Sequence, residues 1–67
     1  MAIARVTEIS STSTESFDDA IKEGVARATK TLRNVKSAWV KEQRVDLENG
    51  EINRYQVNMM VTFVLDE

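Results

Sequence analysis

The strongest pattern lies in the last third of the chain. From Glu51 to Leu65, Tyr55, Val57, Met59, Val61, Phe63 and Leu65 alternate with Arg54, Gln56, Asn58, Met60, Thr62 and Val64. A period of two predicts a strand. At about 3.3 Å per residue it would span roughly 45–50 Å. One series is almost wholly apolar and requires a cover. The other is mixed: Gln56 and Asn58 are polar, Met60 and Val64 are not. A chain of 67 residues has few groups left to cover that second face. A partner subunit or a ligand is therefore expected there.

Ile3 to Ile9 predicts a first strand with apolar residues on both sides. Such a strand is expected to be central, or flanked by another chain, rather than an exposed edge. Ser10-Ser11-Thr12-Ser13-Thr14 reads as a break rich in helix-capping side chains. Thr12 with Glu15, and Ser16 with Asp19, have capping-box spacing, and Ser13 is a further candidate cap. From about Glu15 to Asn34 the period becomes 3.6. Phe17, Ile21, Val25, Ala28 and Leu32 fall on one stripe, and the charges lie mostly away from it, which predicts an amphipathic helix. Acids come first and bases last, as the helix dipole prefers. Asp18–Lys22 and Glu23–Arg27 are i,i+4 pairs in the favourable order. Ala20 and Gly24 are small enough for a close approach to the sheet or to another helix. Gly24 would otherwise cost about 1 kcal/mol of helix propensity. Asn34 is a natural stop.

Ser37 to Leu47 predicts a second strand. Strict alternation puts Ser37, Trp39, Lys41, Gln43, Val45 and Leu47 on one face and Ala38, Val40, Glu42, Arg44 and Asp46 on the other. Asn49-Gly50 between two strand-like runs reads as a tight hairpin. The order strand, helix, strand, strand predicts an α+β fold: a single β-α-β-β domain over residues 1–67, with a three-stranded antiparallel sheet partly wrapped around one helix. In simple register the uncovered face carries Trp39, Gln43, Gln56, Asn58 and Met60. Trp39 is the only tryptophan. On such a face it is expected to pack in an interface or to stack on a ligand.

Composition narrows the chemistry. There is no cysteine and no histidine, which removes disulfides, thiolate metal sites and the commonest imidazole base and zinc ligand. A chain this short buries a modest fraction of its surface, and oligomerisation is the remaining common route to stability. The net charge of -2, without a basic stripe, argues against nucleic acid as partner. No apolar run approaches a membrane span or a signal-peptide core, and a cytoplasmic location is expected. Glu8, Lys41 and Glu42 are better read as salt-bridge partners than as catalytic groups, so no enzymatic activity is expected.

The sequence resembles the dodecin family over nearly its whole length. The resemblance rests on Thr12-Ser13-x-x-Ser16 opening the helix and Ala26-Arg27-Ala28-x-Lys30-Thr31 in its second half. Val40-Lys41-Glu42, Tyr55-Gln56-Val57 and Val61-x-Phe63-x-Leu65 complete it. It implies a hollow homododecamer with helices outside and sheets lining the inside, which stores or sequesters flavin (riboflavin or FMN). In the family a tryptophan stacks on the flavin ring and a glutamine hydrogen-bonds to it. The glutamine falls on Gln56. The stacking position falls on Ser37, with Trp39 two residues on, and Ser11 stands where the family usually has glycine. The expected flavin-contacting residues are thus Gln56, Trp39, Ser37 and Arg44. A subset of dodecin-like proteins lacks the stacking tryptophan and is associated with calcium. On that alternative, a flavin-independent shell that binds calcium or another cation or is purely structural, Glu42, Asp46 and Glu48 are the expected oxygen ligands.

Overall fold

A computed structural model of the chain describes residues 2–66. The elements are β1 (Ala4–Ser13), α1 (Phe17–Thr31), β2 (Val35–Glu48) and β3 (Glu51–Val64). The sheet is antiparallel with strand order β1-β3-β2. The predicted long strand is β3, and it runs through the middle. The molecule measures 51 × 18 × 13 Å, so its long axis matches the length expected of that one strand.

Asn49 and Gly50 form a two-residue turn with φ of 53° and 78°. Two successive positive φ values are what a type I′ hairpin requires, and Asn-Gly tolerates them at least cost. The β2–β3 arm that follows is longer than the helix that covers it.

The helix packs against β1 and β3. Ala20, Val57 and Met59 form the buried centre, with Ile9, Phe17, Ile21 and Val25 packed around it. The deepest line on the helix is Ala20, Gly24 and Ala28, one step round from the large apolar stripe. These small residues let the backbone settle close to the sheet, and Phe17, Ile21 and Val25 wedge along the sides. Phe17 meets Tyr55 edge-on, with ring centroids 5.1 Å apart, a favoured aromatic geometry.

The helix is shorter at both ends than its periodicity suggests. Ser16 is the N-cap, and its hydroxyl accepts the Asp19 N–H at 2.9 Å. Ser13, nearly buried, accepts the Glu15 N–H at 2.9 Å and donates to Asp19 Oδ2 at 2.6 Å. At the other end Leu32 is the C-cap, and Asn34 turns the chain with φ of 60°. The Asn34 amide donates to the Val64 carbonyl at 3.3 Å and to Asp66 Oδ1 at 2.8 Å. That ties the helix exit to the end of β3.

Of the two settings expected for β1, the central one does not hold, because it is an edge strand in its own chain. The expected break at the Ser/Thr run is overturned, because β1 continues through Ser10, Ser11, Thr12 and Ser13, paired with Asn58, Val57, Gln56 and Tyr55. The length of β3 supplies ladder partners that outweigh the local turn preference of serine. Ser11 also suits its place: its Cβ would sit 3.1 Å from a Cβ built on Gly24, so a larger residue would push the helix away.

A candidate ligand-binding face

Residues paired across an antiparallel sheet share a face. On β3, Val57, Met59 and Val61 are buried under the helix, so Arg54, Gln56, Asn58, Met60 and Thr62 occupy the opposite, helix-free face. From β1 it gains Val6, Glu8, Ser10 and Thr12, partners of Thr62, Met60, Asn58 and Gln56. From β2 it gains Ser37 opposite Thr62, Trp39 opposite Met60, Glu42 opposite Asn58, Arg44 opposite Gln56 and Asp46 opposite Arg54.

That set differs from strict alternation, and the reason is a bulge. The register shifts between Val40 and Glu42. Lys41 is the extra residue there, and one inserted residue reverses the parity of the residues that follow, as far as the next shift after Asp46. Gln43 therefore pairs with Val57 and Val45 with Tyr55, on the helix side. Glu42, Arg44 and Asp46 swing onto the face of Trp39 and Gln56. The expectation that Gln43 joins Trp39, while Arg44 and the acids face away, is overturned.

The face carries three groups of polar contacts. Gln56 Nε2 donates to Ser10 Oγ at 3.0 Å and to Asn58 Oδ1 at 3.2 Å. Asn58 Nδ2 donates to Glu42 Oε1 at 2.8 Å. Lys41 Nζ reaches Glu8 Oε1 at 3.2 Å, bracing β2 to β1 across β3. Arg54 pairs with Asp46 at 3.0 Å, and Arg44 approaches the other oxygen of the same carboxylate at 3.8 Å. These exposed pairs contribute little stability, typically about 0–1 kcal/mol each. What they do is order the side chains. Trp39 lies at one end of these contacts beside Met60, half exposed at 50%.

The structure thus brings Gln56, Trp39, Ser37 and Arg44 onto one face. It does not bring Trp39 and Gln56 together within one chain. Their rungs, Met60 and Gln56 on β3, are about 13 Å apart along the strand. Glu42, Asp46 and Glu48 do not converge either. Glu42 is held by Asn58, Asp46 by two arginines, and Glu48 lies at the hairpin tip opposite Glu51. No cluster of three acidic residues suited to a metal ion occurs among the described residues. Sequence reading passed over Ser10 as a partner of Gln56, because it assigned Ser10 to a loop. None of the helices among the described residues is long and apolar enough to cross a membrane.

A three-stranded antiparallel sheet, helix-covered on one face and open on the other, defines a small α+β fold. Comparison with known proteins gives it a family. The dodecin family model matches residues 3–66, and the chain belongs to the dodecin family. A dodecin of Thermus thermophilus is 40% identical over 60 residues, covering 90% of this chain and 87% of that protein. The structure of a dodecin from Streptomyces davaonensis superposes with a TM-score of 0.92 at 45% identity, covering 98% of this chain and 97% of the other. A calcium-chelating antigen of Mycobacterium tuberculosis, described as a calcium dodecin with a novel calcium-binding site, matches with a TM-score of 0.84 at 26% identity, covering 96% and 91%.

Proposed function

We propose that this dodecin is a non-enzymatic, self-assembling storage protein that sequesters a flavin, riboflavin or FMN, on the helix-free face of its sheet. The observation that carries the reading is Trp39, on the same face as Gln56, with half of its surface left open by its own chain. An indole offers a flat surface for an aromatic ring. The Gln56 amide offers both a donor and an acceptor to the ring's polar edge. Ser37 sits one rung from Trp39 on the same face, so the stacking surface is displaced by about 7 Å and retained. Arg44, opposite Gln56, supplies a guanidinium for a polar or phosphorylated tail.

A flat ring stacked on Trp39 meets Gln56 only when a second copy contributes one of the two. Ligand binding and self-association are then one event, which fits the hollow dodecamer the family resemblance implies. The exposed apolar residues support association: Ile3, Val6, Val40, Leu47 and Ile52 all lie open in the single chain. The cation alternative draws its support from the calcium dodecin relative. Against it, the carboxylates of Glu42 and Asp46 already have partners, so a cation would have to displace them, and ligands would have to come from several copies.

The test is a titration of metal-stripped protein with riboflavin and with FMN. Flavin fluorescence and particle mass are followed in the same sample. Quenching that saturates at a fixed ratio to subunits is expected. Trp39→Ala should lose about 1–3 kcal/mol of stacking, roughly ten- to hundredfold in affinity, whereas Ser37→Ala should bind as the parent does. An intact assembly that leaves flavin fluorescence unchanged would put the cation or structural reading first.

A further inference from the structure

We infer that the tip of the β2–β3 hairpin of one copy docks into the groove between α1 and β1 of another. Leu47 and Ile52 are cross-strand partners at the tip and are 63% and 53% exposed. Glu48 and Glu51 form the last rung beside them. The tip is thus an apolar knob carrying two carboxylates, which no part of its own chain covers.

The groove has the complementary character. It is a cleft of about 320 Å³ lined by Ile9, Gly24, Ala28 and Leu32, with Arg27 and Thr31 on the helix side and Glu23 a turn further back. Its apolar floor is bordered on the β1 side by the hydroxyls of Thr7, Ser10 and Ser11. Arg27, and Lys30 one turn on along the helix, take part in no ion pair among the described residues. Two carboxylates entering with the knob would find these cations at the rim, and opposite charge sets register in such contacts.

A tip cannot reach its own groove. Ser13 pairs with Tyr55, and the groove-lining part of β1 pairs with the half of β3 beyond that point, away from Glu51. Rigid paired strands separate the two surfaces. Any contact between them joins different copies and different surfaces.

The inference rests on self-association as proposed above, and the experiment separates the two. The chain contains no cysteine, so introduced thiols report single contacts. Chains carrying Ile52→Cys are co-assembled with chains carrying Thr31→Cys and oxidised mildly, and cross-linked peptides are identified by mass spectrometry. A disulfide joining positions 52 and 31 is expected to dominate. In parallel, Glu51→Lys and Arg27→Glu should each raise the subunit concentration at half-dissociation about tenfold, which corresponds to about 1.4 kcal/mol, and the double variant should recover most of the loss. A co-assembly of the two cysteine variants with only 52–52 or 31–31 bonds, or a charge-swapped double variant weaker than both singles, overturns this contact and leaves self-association standing. A parent that stays monomeric overturns both.

Discussion

Replacing Gly24 by alanine sets two opposite effects against each other at one atom. Helix propensity favours the change, because glycine in a helix interior is about 1 kcal/mol worse than alanine. Packing opposes it. A Cβ at position 24 would run into Met59 Cε and lie 3.1 Å from Ser11 Cβ and 3.4 Å from Ser11 Oγ. The Met59 terminus is flexible and could swing aside, but Met59 is 1% exposed between the equally buried Val57 and Val61. A methyl group forced into such a core costs about 1–3 kcal/mol. Gly24→Ala is therefore expected to destabilise by about 1 kcal/mol net. Urea unfolding at one fixed subunit concentration measures it, since association adds to apparent stability and varies with concentration. With a slope of about 1 kcal/mol per molar for so small a chain, the midpoint should fall by about 1 M. Shortening the obstacle with Met59→Val should shrink the penalty, because residues in contact couple by about 0.5–3 kcal/mol. A Gly24→Ala variant as stable as the parent, or more so, would show that the helix does not press on the sheet there.

Two further substitutions probe the ends of elements. Ser13→Ala removes a nearly buried hydroxyl that accepts from Glu15 N–H and donates to Asp19 Oδ2. A loss of about 1–2 kcal/mol is expected, read as a lower urea midpoint with unchanged helix content at low urea. Gly50→Ala meets no atom within 4 Å, so only its φ of +78° resists. It should cost about 1 kcal/mol and leave the assembly mass as it was, and a much larger loss in the same urea series would show that the turn apex itself enters the contact inferred for the tip.

The element order, the hairpin and the helix cap were legible because each rests on a local signal. Asn49-Gly50 can adopt two positive φ values, and Ser16 has the right spacing to Asp19. The close approach of the helix was legible from Ala20 and Gly24. What escaped was decided by pairing between distant segments. β1 runs on through its serines because β3 is long enough to pair with them, and it lies at an edge because β3 pairs with both neighbours. No local pattern in Ile3–Ile9 separates those outcomes from a central strand.

The bulge at Lys41 bears most on the candidate site. Nothing in Val40-Lys41-Glu42 marks an insertion, since lysine and glutamate fit either face of an exposed strand. Its effect becomes visible only where β2 is set against β3, with Val40 opposite Met59 and Glu42 opposite Asn58. Ser37 to Val40 and Glu42 to Asp46 then obey opposite parities. Trp39 keeps the facing that alternation assigns it, while Glu42, Arg44 and Asp46 are carried round to join it. The polar lining beside Gln56 is thus a product of one inserted residue. Lys41 itself spans the sheet to Glu8, holding the two halves of that lining on one surface.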